Sequence, residues 1–202
     1  MPEEINRVLT DYISEILFAP TNVAVENLKK EGITKGVYKV GDVMLDVALE
    51  AVSKVNEEEV LNKYNLEPKN FILVTIHRAE NTVRETFLQI WKALNEIAKS
   101  GIKLFFPLHP RTKNVIGELG LTPESKNLIL SEPVSYFEMI ALEKNAKVII
   151  TDSGGVQKEG FFFGTPCVVP REETEWIELV DIGFNYLTGV NAKNFSTTKL
   201  RT

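Results

Sequence analysis

The sequence predicts an α/β protein built on a parallel sheet, and three observations carry that prediction. From Phe71 onward, strand-like and helix-like segments alternate, the pattern of repeated βα units with helices on both faces of a sheet. Val148 to Thr151 is a run of Val, Ile and Thr that ends just before two adjacent glycines, as a buried strand followed by a tight turn would. Between Thr82 and Ser100, Val83, Phe87, Ile90, Trp91, Leu94, Ile97 and Ala98 keep a spacing of three and four, which predicts a helix with one apolar face.

In chain order, the first 50 residues hold a helix-like "INRVLTDYISEI", a short "LFAPT", a helix-like "NVAVENLKKEG" and a strand-like "VYKVGDV". Two βα crossovers make a poor sheet by themselves, so residues 1–50 are expected to be part of a larger unit. Residues 51–70 read as helix and linker, because Asn56 to Pro68 is charged. The main α/β domain is expected over residues 71–190, with strands at "FILVTI", "KLFFPL", "LIL", "KVIIT" and "CVV". Its helices are the Thr82–Ser100 segment, a short one before Gly120, Ser135 to Lys144, and one after the paired glycines. Thr82 with Glu85, and Ser135 with Glu138, have the spacing of capping boxes. The tail 191–202, "NAKNFSTTKLRT", is polar and aperiodic and is expected to fray.

At 202 residues the chain exceeds the common domain size of about 100–150, which fits one large domain or one domain and a piece of another. Its net charge is −5 and its basic residues are scattered, which argues against a nucleic-acid partner and against an anionic membrane surface. An anion would have to be bound locally. Cys167 is the single cysteine, so neither an intrachain disulfide nor a cysteine-based zinc site can form, and a buried thiol in a reducing cytoplasm is expected. The N-terminus lacks a signal-peptide pattern, and no apolar run approaches the ~20 residues of a membrane span.

Chemistry concentrates at the predicted strand ends. In "VIITDSGGVQKEG" a strand runs into Asp152, Ser153, Gly154 and Gly155, and then into a helix. Two missing side chains, unpaired N–H groups, about half a positive charge from the helix dipole and the Ser153 hydroxyl together suit a phosphate. The alternative is a plain βα turn in which Asp152 or Ser153 caps the helix. Both histidines, His77 in "TIHRAEN" and His109 in "PLHPRT", follow strands, each with an arginine close behind. Two histidines without a third ligand make a poor metal site, and a lone histidine is more often structural than catalytic. In a parallel sheet, however, all strand C-termini share one edge, so "IHR", "LHPR" and "DSGG" should open on one crevice. Imidazole, guanidinium and a helix start describe a diphosphate site. If His77 supports phosphate, binding should respond to pH at about 6.5 or somewhat higher. Glu159 is six residues past Ser153; it either turns toward the same mouth to accept ribose hydroxyls or is a solvated surface charge.

"PEEINRVLTD", "FAPT", "VGDVMLD", "TIHRAEN", "FPLHPRT" and "TDSGGVQKEG", in this order, resemble the C-terminal half and more of a non-hydrolysing UDP-N-acetylglucosamine 2-epimerase. The resemblance implies the GT-B arrangement: a Rossmann-like parallel-sheet domain preceded here by the tail end of a second Rossmann-like domain. It implies interconversion of UDP-N-acetylglucosamine and UDP-N-acetylmannosamine by elimination of UDP and its re-addition, with no cofactor and no metal. A UDP-sugar would be the small-molecule partner, and the family forms homodimers. By position, Glu3 matches a catalytic carboxylate and His77 the histidine at the nucleotide's phosphates. Ser153, Gly154 and Gly155 match the diphosphate turn, Glu159 the ribose-binding acid, and Val134 and Met139 the uracil contacts. Arg171 aligns with a substrate-binding arginine, and His109 with a histidine near a second, regulatory nucleotide-sugar site. Trp176 in "REETEW" stands where many bacterial members carry an arginine. Family members also have a further N-terminal domain bearing an Asp and a Glu used in catalysis, and a closing C-terminal helix. Weak UDP binding and no epimerisation are therefore expected of this chain alone. The competing readings are a GT-B glycosyltransferase and a non-catalytic UDP-sugar-binding fragment.

Overall fold

The structure, a computed structural model, describes residues 2–190, with side chains from Glu4 onward. The expected tail at 191–202 and the side chain of Glu3 lie outside the described residues. The chain divides into two compact units, Met1–Leu49 and Glu50–Thr202.

In the first unit, helices α1 (Pro2–Ile13) and α2 (Asn22–Lys30) accompany a two-stranded parallel sheet of β1 (Leu17–Ala19) and β2 (Val37–Lys39). Thr21 caps α2 by accepting from the Ala24 N–H at 3.1 Å. Arg7 reaches from α1 to Glu31 just past α2 at 2.7 Å and also bonds Glu4 and Asp11, each at 2.7 Å. The apolar centre is small, built on buried Leu17, Ala19 and Leu28. Two short strands cannot bury much, as the sequence implied. Helix α3 (Val43–Lys54), not foreseen in the sequence, carries the chain from one unit into the other.

The second unit is the predicted βα repeat. After α4 (Glu57–Lys63) come β3 (Phe71–Thr75), α5 (Arg84–Lys99), β4 (Lys103–Pro107), α6 (Pro110–Glu118) and β5 (Leu128–Ser131). Then follow α7 (Tyr136–Asn145), β6 (Val148–Thr151), α8 (Gly154–Phe162), β7 (Cys167–Val169), α9 (Ile177–Asp181) and β8 (Asn185–Leu187). All six strands are parallel in the order β5-β4-β3-β6-β7-β8. The order reverses between β3 and β6, and a crevice forms outside the strand ends at such a point.

The sheet is covered on both sides because successive strand residues point to opposite faces. Ile72, Val74 and Ile76 pack with Phe87, Ile90 and Leu94 of α5 on one face. Phe71, Leu73 and Phe105 pack with Val60 and Leu61 of α4 and with Ala141 and Leu142 of α7 on the other. The Ser135–Glu138 capping box forms as expected at the start of α7. The one expected from Thr82 and Glu85 does not: α5 begins at Arg84 behind Val83, with no side-chain cap. Asn81 is drawn inward by bonds to Asp152 and to the Pro170 carbonyl, which keeps Glu80–Thr82 in a 3₁₀ turn. The Thr82 hydroxyl instead donates back to the Arg78 and Ala79 carbonyls.

Candidate functional site

Asp152, the first residue past β6, is fully buried and organises the strand edge. Its carboxylate accepts the His77 N–H at 3.0 and 3.1 Å, the Arg78 N–H at 2.9 Å and the Asn81 side-chain amide at 3.0 Å. A buried carboxylate is tolerated when its lone pairs are filled in this way. The sequence offered Asp152 as a helix cap; it is a staple between adjacent strand ends. Capping of α8 falls to Ser153, whose hydroxyl accepts from the Val156 N–H at 3.5 Å.

The staple fixes His77. Its half-buried ring lies with Nδ1 3.5 Å from the Asp152 carboxylate and stacks on His109, centroids 5.1 Å apart and planes at 27°. His109 caps α6, its Nδ1 accepting from the Arg111 N–H at 3.2 Å, and the Arg111 guanidinium donates to the His77 carbonyl at 2.8 Å. Burial pushes the His77 pKa below its ordinary value; Asp152 opposes this, and His109, Arg78 and Arg111 add to it. In the unliganded protein this burial acts against the protonated form that a bound phosphate would favour.

His77 and His109 line a cleft of about 220 Å³ with Val134, Met139 and Val156, so four of the sequence-derived positions come together there. Val156 belongs to the first turn of α8, which opens with Gly154 and Gly155. The first N–H groups of a helix have no carbonyl partner within it. Above this helix start lies the loop 170–176. The Trp176 Nε1–H donates to the Gly154 carbonyl at 2.8 Å, and the Lys158 ammonium sits 3.9 Å from the centre of the Trp176 ring. Arg171 is buried and donates to the Glu175 carboxylate at 2.8 and 3.2 Å, and Arg78 donates to the same carboxylate at 2.7 Å. Burial raises the Glu175 pKa, but the Arg171 hydrogen bond, a backbone N–H and the two guanidinium charges outweigh it and hold the group at about 2.

Glu159, in the second turn of α8, is buried, which removes the solvated-charge alternative; its carboxylate accepts the Tyr136 hydroxyl at 2.9 Å. Burial raises its pKa and the Tyr136 bond partly offsets that. Glu143 of α7 is fully buried with neither carboxyl oxygen hydrogen-bonded, and burial together with the Glu159 charge pushes its pKa well up. Glu143, Tyr136 and Glu175 were not singled out in the sequence, because nothing in their local context marks them. Cys167 is buried and its thiol is pushed up by burial, so it is an inert core group. Among the described residues no cluster of three or more His, Cys, Asp or Glu could hold a metal, and no helix is long and apolar enough to cross a membrane.

A parallel six-stranded sheet covered by helices on both faces, with its cleft where the strand order reverses, makes the second unit a Rossmann-like α/β domain. The model of the UDP-N-acetylglucosamine 2-epimerase family matches residues 1–199, and the chain belongs to that family. It is 41% identical over 203 residues to the UDP-N-acetylglucosamine 2-epimerase of Methanococcus maripaludis, covering 96% of this chain and 56% of that protein. It is 50% identical over 195 residues to the UDP-2,3-diacetamido-2,3-dideoxy-D-glucuronate 2-epimerase of Pseudomonas aeruginosa, covering 94% and 52%. The crystal structure of Methanocaldococcus jannaschii UDP-GlcNAc 2-epimerase in complex with UDP-GlcNAc and UDP superposes with a TM-score of 0.89 at 39% identity, over 100% of this chain and 59% of that one. The chain thus spans about half the length of the curated relatives it matches.

Proposed function

We propose that this chain is the nucleotide-binding part of a UDP-N-acetylglucosamine 2-epimerase, acting in the cytoplasm on a UDP-sugar. Residues 1–50 would be the tail of the companion Rossmann-like domain and 71–190 the UDP-binding domain, with 51–70 between them. The observation that carries this reading is the bare start of α8 beside His77 and the cleft at the strand-order reversal. The diphosphate would meet Ser153, Gly154 and Gly155, the base would lie among Val134 and Met139, and the ribose would face Glu159. Arg171 and His77 would complete the phosphate contacts, and Glu3 would serve as a catalytic carboxylate. His109 is assigned to a regulatory nucleotide-sugar site, and a homodimer is the assembly expected from the family resemblance.

Inverting C2 by elimination needs a base for the C2 proton, stabilisation of the departing diphosphate, and a closed space that retains the intermediate. The second unit offers the stabilisation: a helix start and nearby cations already in place. Loss of one positioned acid or base costs about 10²–10⁴ in rate, so a chain spanning half of its relatives' length should not turn over by itself. Proton–deuterium exchange at C2 of UDP-N-acetylglucosamine in heavy water tests this. Exchange is expected only after adding the N-terminal half of a homologous enzyme; no exchange with that half present would remove the epimerase reading. The higher identity to the diacetamido-glucuronate epimerase than to the M. maripaludis UDP-N-acetylglucosamine enzyme favours a second reading of the sugar, one carrying a C6 carboxylate and a second acetamido group. The same assay with that substrate decides between them.

The pH dependence of UDP binding follows from two groups. A bound diphosphate favours protonated His77, so affinity rises as pH falls through its lowered pKa, below the usual 6.5. Protonating Glu159 removes a ribose acceptor, so affinity falls again as pH drops through its raised pKa, above the usual 4.5. Calorimetry across pH should show both responses, opposite in sign. His77→Gln should abolish the rise and Glu159→Gln the fall, and a flat profile would exclude both roles.

A further inference from the structure

The loop over α8 contains an anion of its own. One Glu175 oxygen lies 3.4 Å from where a Cβ on Gly154 would be, so the carboxylate rests against the first residue of the helix. Arg78 and Arg171 both point their guanidinium groups at it. A helix start and two arginines are what a phosphate would meet at this position. We propose that Glu175 is an internal stand-in for the ligand's phosphate, filling the anion seat at the start of α8 and leaving it when a diphosphate binds. The proposal rests on the reading of this helix start as the diphosphate seat.

Two anions do not share such a seat, because like charges a few Å apart at a protein surface repel by several times the thermal energy. Neutralising Glu175 is no way out, since its neighbours hold it at a pKa of about 2. The carboxylate therefore has to move, and the structure shows which partner is free to do so. The Arg171 side chain is 5% exposed and the Glu175 side chain 41%. Arg78 is anchored from behind, its Nε–H donating to the Asp152 carbonyl at 2.9 Å. Glu175 sits between β7 and α9 in a stretch without regular structure. Its neighbour Trp176 is tied to the Gly154 carbonyl, so a change of the Glu175 rotamer opens the seat without lifting the loop. Two guanidinium edges then face the incoming phosphates. Glu175 thereby sets the affinity of the seat: it fills the seat when empty and opposes every anion that enters it.

The test is calorimetry on the full chain with UDP, inorganic pyrophosphate and uridine, comparing wild type with Glu175→Gln and Glu175→Ala, each confirmed as folded by circular dichroism. Both variants are expected to bind UDP and pyrophosphate at least tenfold more tightly than wild type, with uridine affinity unchanged. Equal or weaker UDP binding by the variants, alongside measurable binding by wild type, overturns the role of Glu175 and leaves the seat standing. Failure of all three proteins to bind UDP or pyrophosphate overturns the seat and the stand-in together.

Discussion

Asp152→Ala should lower the free energy of unfolding by about 3–5 kcal/mol, because it strands buried donors around a group that satisfies several at once. The His77 and Arg78 N–H groups lose their acceptor, and the Asn81 amide loses one of its two, keeping the Pro170 carbonyl. Each stranded donor costs about 1–3 kcal/mol when fully buried. The His77 and Arg78 side chains are 36% and 23% exposed, so water reaches part of this region and the sum falls toward the low end. Asp152→Asn should cost less, since its amide keeps one oxygen for the backbone donors while its NH₂ faces others. Urea unfolding with a slope of about 1–3 kcal/mol/M would show the alanine variant's midpoint lowered by about 1 M or more. A midpoint unchanged in both variants would mean that Asp152 is no staple. UDP binding should fall along with stability, as His77 and Arg78 are held in place by the same carboxylate.

The parts of this molecule legible in the sequence are those determined by near neighbours. Strands β3, β4 and β6 are continuous apolar runs, buried on both faces, and α5 carries its own period. Strand β8 is not legible in the sequence because Asn185, Tyr186 and Leu187 form no such run; only pairing with Cys167, Val168 and Val169 makes them a strand. In α3, Val43 read as the end of the preceding strand-like segment. The Thr82 cap failed for the opposite reason: a correct local rule was overridden by the hold of Asp152 on Asn81, 71 residues away. The same division runs through the site. His77, His109 and the Ser153–Gly155 turn stand at strand ends and announce themselves, whereas Glu175 becomes notable only when Arg78, 97 residues distant, joins Arg171 on its carboxylate. The lowered His77 pKa also depends on packing that sequence does not record.

Two helical glycines should respond to alanine in opposite directions, and the contrast measures how tightly α8 is held on the sheet. Alanine in place of a helical glycine gains about 0.5–1 kcal/mol when space allows. At Gly117, in the last turn of α6, a Cβ would meet nothing within 4 Å, so Gly117→Ala should stabilise by about that amount. At Gly160 a Cβ would lie 2.8 Å from the Cys167 sulfur, 2.9 Å from the Thr165 carbonyl oxygen and 3.2 Å from an Ile149 methyl. Thr165 has little room to withdraw, because its N–H donates to the Gly160 carbonyl at 2.8 Å. Cys167 and Ile149 are fully buried strand residues. Overpacking of this kind costs about 1–3 kcal/mol for one methyl group, and Gly160→Val should cost more. The strain has a functional side: lifting α8 from β6 and β7 displaces its N-terminus, where Ser153, Gly154 and Gly155 would receive the diphosphate. Gly160→Ala should therefore lower both the melting temperature and UDP affinity, while Gly117→Ala raises the first and leaves the second alone. If Gly160→Ala is as stable as Gly117→Ala, α8 does not depend on this close approach, and its position over the strand ends must be set elsewhere.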